Sequence, residues 1–183
     1  MAVRLGIFVL GLALLGCHQV TDDILPEILM HEPNLELLEE VQILYSDSAS
    51  VKVSVSGPIM YYYTDQSNVR QVFPKGIKVE FLDKNLQVQS VLTAKYAVRQ
   101  EGLGTIVVRD SIVWKSQMQE TLTTDELTWD ERQKKIYTDR FVVLSRPDEM
   151  LYGRGFEADQ DFSNIVMKAV EGRVKVAENK PEG

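Results

Sequence analysis

A repeat constrains this chain more than any other feature. Leu92-Thr-Ala-Lys-Tyr96 is matched by Leu122-Thr-Thr-Asp-Glu126 and again by Leu151-Tyr-Gly-Arg-Gly155, a period of about 30 residues. Each block is followed by a polar, turn-rich patch: Gln100-Glu-Gly-Leu-Gly-Thr105, Asp130-Glu-Arg-Gln-Lys-Lys135 and Asp159-Gln-Asp-Phe-Ser-Asn164. A second apolar run then opens at Ile106-Val-Val108, Ile136-Tyr-Thr138 and Ile165-Val-Met167. One unit therefore reads as strand, turn, strand, link. Ile77-Lys-Val-Glu-Phe81 sits in the phase of the second runs, so a partial unit is expected before the others. A lone hairpin cannot bury its apolar face, so the units must stack into one extended β structure.

The strands before the repeat follow the same logic. Val41-Gln-Ile-Leu-Tyr45 and Val51-Lys-Val-Ser-Val55 read as the first two, with Ser46-Asp-Ser48 as turn residues between them. Gly57-Pro58 is expected to end the second, and Ile59 to Thr64 to form another. Tyr61, Tyr62 and Tyr63 suit a half-exposed β surface, with substrate stacking as the sharper alternative. Asp83-Lys-Asn85 reads as a turn. In Ile106 to Trp114 one parity carries Ile106, Val108, Ile112 and Trp114, interrupted by Asp110. In Ile136 to Leu144 the apolar residues fall on both parities. Ile136 lies on one, Phe141 and Val143 on the other, and Val142 and Leu144 opposite those two. A bulge near Arg140 or burial of both faces would explain that.

The N-terminus has the grammar of a leader. Met1-Ala-Val-Arg4 is a short basic start, and Leu5 to Leu15 is an apolar run too short to span a bilayer as a helix. It ends Leu14-Leu-Gly-Cys17, which resembles the bacterial lipobox, so Cys17 is expected to be acylated. The chain then divides into a lipoprotein signal peptide (1–16), a tether (17–40), a β domain (41–176) and a disordered polar tail (177–183). Within the tether, His31 reads as a solvated loop residue, and Asn34 to Leu38 as one helical turn or a loop.

Charge and composition narrow the function. The chain has 183 residues, with 27 acidic against 20 basic and a net charge of −7, which argues against a nucleic-acid partner. A single Cys excludes an internal disulfide, and both His precede the β region, leaving it without imidazole. No cofactor, metal or catalytic residue is expected. An enzyme would have to rely on carboxylate pairs, for which Asp125 with Glu126, Asp130 with Glu131 and Asp159 with Asp161 are the candidates.

Strands at this spacing suggest a sandwich, jelly roll, barrel or β-solenoid. Here the pattern becomes specific. Leu92-x-Ala94-x-Tyr96, Leu122-Thr-Thr-Asp-Glu-Leu127-x-Trp129 and Leu151-Tyr-Gly-Arg-Gly-Phe156 are followed by Met167-Lys-Ala-Val-Glu-Gly-Arg173-Val174. Together they resemble the LptC family, the periplasmic bridge proteins of the lipopolysaccharide exporter, over about Val41 to Val176. The resemblance implies an all-β, antiparallel, repeated-hairpin β-jellyroll, V-shaped and groove-like, with open edges. It implies that the inner-membrane ABC exporter hands lipopolysaccharide to this groove, which passes it to an LptA-like bridge protein through edge-strand pairing. The best-known members carry a transmembrane helix where this chain carries Cys17. A lipid anchor in the periplasm is therefore expected, with the inner membrane as its holder and the outer membrane as the alternative.

Candidate lining residues come from each repeat: Leu92 and Tyr96, then Ile106 and Val108, then Leu122 and Leu127. Ile136 and Phe141, Leu151 and Phe156, and Ile165 and Met167 complete the set. Each could equally serve as ordinary core, and Trp114 and Trp129 as packing or rim residues. The rival to lipid transfer is a structural or protein-binding lipoprotein with a filled β core.

Overall fold

A computed structural model describes residues 34–47, 50–65 and 68–175. Cys17, the leader, His31 and the tail 177–183 lie outside the described residues. Among the described residues the structure is all-β and antiparallel, without a helix.

The repeat unit is a long hairpin. Strands β8 (Thr121–Asp130) and β9 (Lys135–Ser145) form one, and β10 (Glu149–Asp159) and β11 (Val166–Lys175) the next. The one before is β5 (Val88–Ala94) and β6 (Tyr96–Gln100) with β7 (Thr105–Ser116), in which Lys95 interrupts the outgoing strand. The turns fall where glycine and side-chain oxygens allow them. Asp130 Oδ1 accepts from the N–H groups of Arg132 and Gln133, and Asp83 Oδ1 accepts from those of Asn85 and Gln87.

The earlier strands depart from the expected phase. Strand β1 (Leu35–Asp47) begins before Val41, so the segment from Leu35 to Leu38 is strand rather than a helical turn or loop. Strand β2 runs unbroken from Ser50 to Tyr63 and pairs with β1 along its length. Gly57-Pro58 does not end it. Pro58 falls opposite Glu40, a left-handed residue (φ 49°) that carries no register partner, so the missing proline N–H costs no ladder bond. The partial unit is real but starts earlier than Ile77. Its returning strand is split into β3 (Arg70–Phe73) and β4 (Ile77–Leu82) by Pro74-Lys-Gly76.

Those interruptions line up and fold the sheet in two. Between β2 and β7 the sheet divides: β4 and β5 fill one branch, β3 and β6 the other. Strands β7 to β10 cross both branches and bend between them. In β7 the bend is Asp110 and Ser111, both left-handed (φ 64° and 54°), and in β10 it is Gly155 (φ 77°). Each bend shifts the ladder register. Two buried threonines satisfy bend backbone with their hydroxyls. Thr124 donates to the Phe141 carbonyl at 2.8 Å, and Thr138 accepts from the Arg140 N–H at 3.1 Å.

The result is two leaves whose inner faces share one core. The first leaf contributes Val53, Val55, Val79, Phe81, Leu92, Ile112, Trp114, Leu122, Val142 and Leu144. The second contributes Met60, Phe73, Ala97, Ile106, Val108, Leu127, Ile136 and Phe156. The expected parity in β7 holds, because Asp110 lies on the bend. In β9 parity likewise holds across the bend at Asp139 to Phe141, and Ile136, Val142 and Leu144 all point inward. At the two ends of the stack, β1 pairs only with β2, and β11 only with β10, among the described residues.

Candidate functional site

The interior is hollow toward β2 to β6. A cavity of about 50 Å³ is lined by Val55, Ile77, Val79, Phe81 and Leu92 from the first leaf. Phe73, Ala97, Ile106, Val108, Leu127, Trp129 and Ile136 face it from the second. A cavity of that size has room for a few water molecules. A longer apolar guest would need the leaves to part.

Beside it, on the rim away from the bends, lies an open depression of about 630 Å³. Tyr45, Phe81 and Trp129 belong to both spaces, so the depression forms a mouth against the cavity, with these three side chains between the two. Tyr45 reaches across from β1, on the first leaf, to meet the Trp129 ring edge-on, with centroids 6.3 Å apart. Lys52, Asp83, Glu131 and Gln160 give the mouth a polar margin.

One charged side chain points inward. Arg99 shares the parity of buried Ala97 and lines the cavity. Its Nε and Nη2 donate to the two carboxylate oxygens of Glu131, each at 3.2 Å, and Nη1 to Glu101 at 3.3 Å. Burial works against its charge, but the Glu131 hydrogen bonds, aided by Tyr45 and both carboxylates, hold its pKa above the ordinary arginine value. Burial pushes the Tyr45 phenol up; Arg99 opposes the shift, and Glu131 and Glu101 add to it. Two other lining residues keep polar atoms without partners, Gln71 Oε1 and Trp129 Nε1.

The twelve residues expected to line a groove fall into four groups. Leu92, Ile106, Val108, Leu127 and Ile136 line the cavity. Leu122 and Phe156 are fully buried, but in the filled part of the core. Leu151, Ile165 and Met167 pack partly buried against that core, and Tyr96 is half-buried. Phe141 is wrongly placed by the sequence reading. It is 42% exposed on the outer face, its ring 6.3 Å from that of Tyr152. Phe141 is of opposite parity to Ile136, and that alternation, kept across the bend at Asp139, leaves Phe141 outward and Val142 inward.

Several interior residues were not singled out from sequence. Ala97 and Arg99 follow a strand break at Lys95, where parity could not be carried forward. Phe73 sits beside Pro74. Phe162 lies in a patch that reads as polar, yet it is buried. Among the tyrosines of β2, Tyr63 has Arg70 over its ring, 3.9 Å from the centroid.

Of the six carboxylates in the candidate pairs, Glu126, Asp130, Glu131, Asp159 and Asp161 are held in local interactions. Glu126 accepts from Arg109 Nε at 2.7 Å and faces Arg140 at 3.4 Å. The Arg109 hydrogen bond, opposed by burial, holds it below the usual carboxylate range. Asp130 caps its turn, and Glu131 pairs with Arg99. Asp159 pairs with Lys135 at 2.8 Å, and Asp161 accepts from Ser163.

No family model and no curated protein matches the chain.

Proposed function

We propose that this protein carries lipopolysaccharide in the manner of the LptC family. It is anchored through Cys17 in the periplasm, receives the lipid from an inner-membrane ABC exporter, and passes it to an LptA-like bridge protein. The observation that carries this reading is a folded sheet with an apolar, partly hollow interior and, among the described residues, a strand with one unpaired edge at each end. Covering a lipid chain is favourable by about 25 cal/mol per Å² of apolar surface, and this lining is of that character. Among the described residues, strands β1 and β11 each leave one edge open, and such an edge can pair with another chain. An acyl anchor at Cys17 would hold the domain at the membrane, each buried CH₂ contributing about 0.8 kcal/mol.

The cavity's small size favours a second reading, a protein-binding lipoprotein with a filled core. Photocrosslinking separates the two. A crosslinking amino acid at Leu127 or Ile136 is expected to capture lipopolysaccharide in cells, and one at Phe141 is not. If the folded protein, with the exporter present, gives no adduct at either inner position, lipid transfer is excluded and protein binding at the edges remains.

A further inference from the structure

The turn between β10 and β11 puts a large ring into the interior. Phe162 is 4% exposed, while its neighbours Asp161, Ser163 and Asn164 are exposed. Its ring stacks on Trp114 with centroids 4.6 Å apart and planes 15° apart. It meets Phe81 edge-on at 5.4 Å and Phe156 at 6.3 Å. It therefore touches both leaves. Phe81 is also a wall of the cavity and of the mouth, and Gln160 and Asp161 of the same turn form part of the mouth's margin. Phe162 thus stands between the mouth and the filled part of the core.

The ring is held there against its own backbone. Phe162 has φ 61°, a left-handed conformation that is an outlier for a bulky residue. The turn's hydrogen bonds run largely within itself. The Phe162 N–H donates to the Asp159 carbonyl, the Asp159 N–H to the Ser163 carbonyl, and Asn164 Nδ2 to Asp159 Oδ2. The Gln160 N–H reaches the Lys134 carbonyl on the neighbouring turn. The Phe162 ring could therefore leave the core with the β10–β11 ladder intact, relieving backbone strain as it lost its apolar contacts.

We propose that the space Phe162 fills, bounded by Trp114, Phe81 and Phe156, is an alkyl-chain site, and that the ring withdraws when a lipid chain enters through the mouth. The proposal rests on the lipid-carrying reading. The ring's own aromatic and apolar surroundings define the ligand chemistry, an uncharged hydrocarbon chain. Withdrawal would join the site to the cavity past Phe81 and make a single trough from two small spaces.

The test uses the full chain and a dansyl-labelled undecanoic acid as probe. Fluorophenylalanine is placed at position 162 and its fluorine resonance followed as the probe binds; in parallel, Phe162→Gly is titrated with the same probe. Glycine accepts the left-handed backbone and removes the ring. A resonance that moves to a solvent-exposed position is expected, with binding tightened about tenfold in the glycine variant, because the self-closed state no longer competes. If the probe binds and the resonance stays buried, the site is overturned, whatever the variant does, and the lipid-carrying reading stands. If the probe binds neither protein, both fall. The resonance is read on the native fold, so an unstable glycine variant does not cost the experiment its answer.

Discussion

The two parts of the interior are built from one repeat and filled differently. Toward β10, large side chains meet: Ile112, Leu122, Leu144 and Phe156 are among the most deeply buried residues, and Trp114 and Phe162 stack among them. Toward β2, the walls include Val55, Val79, Ala97 and Val108, and a cavity remains. The hairpin ladder runs through both parts, but between β2 and β7 it divides into two branches, whereas β7 to β10 cross from one leaf to the other unbroken. Large side chains line both parts, Phe73, Phe81 and Trp129 among the cavity walls; the filled part holds in addition one ring that a turn contributes. Where the strands run continuously across both leaves the interior is filled, and where they divide a cavity remains.

The filled part should respond most strongly to substitution. Phe156→Ala removes a ring that has no exposure and should cost about 3–5 kcal/mol in urea unfolding; a cost near zero would mean that the two parts are packed alike. Ala97→Val tests the hollow part. Ala97 is almost fully buried at the cavity wall, on a strand where a β-branched residue is at home. The substitution should raise stability by about 0.5–2 kcal/mol, as cavity filling commonly does, and weaken binding of an alkyl probe. Destabilisation by that variant would show that the space cannot accept even two added carbons. The smallest effect is expected outside both parts. Phe141→Ala, on the outer face, should change stability by about 0.5 kcal/mol or less, visible as little or no movement in the thermal midpoint.

The hairpin ladder was legible in the sequence because two signals repeat together. Apolar residues recur at about 30-residue spacing, and each pair is divided by residues that build turns, such as Asp130 and the glycines of Gln100 to Thr105. The fold into two leaves was not legible. Apart from the irregularity expected near Arg140, its bends at Asp110, Ser111 and Gly155 read in sequence only as interruptions of a strand. Parity in fact carries across the bend in β9, where Ile136, Val142 and Leu144 share one face, and Phe141 is misplaced as a lining residue because it lies on the opposite parity. Gly57-Pro58 misled for a related reason. It reads as a strand end but serves a bend within β2, where Gly57 is needed because a Cβ there would lie 2.7 Å from the Phe73 ring. Phe162 was hidden by its company, since its polar neighbours describe the turn correctly and say nothing of the one side chain that turns inward. Five of the expected lining residues do meet at the cavity, because Leu92, Ile106, Val108, Leu127 and Ile136 lie in stretches uninterrupted by a bend.

The stacked hairpins also make the molecule a kind of ruler. Each strand pairs only with its neighbours in the stack, and the terminal strands β1 and β11 belong to opposite ends. Inserting one more repeat would lengthen the trough by about 9–10 Å, two strand spacings, and leave both terminal surfaces unchanged. Tandem duplication within the gene could therefore set the span of such a protein in fixed steps, independently of whatever its ends are made to join.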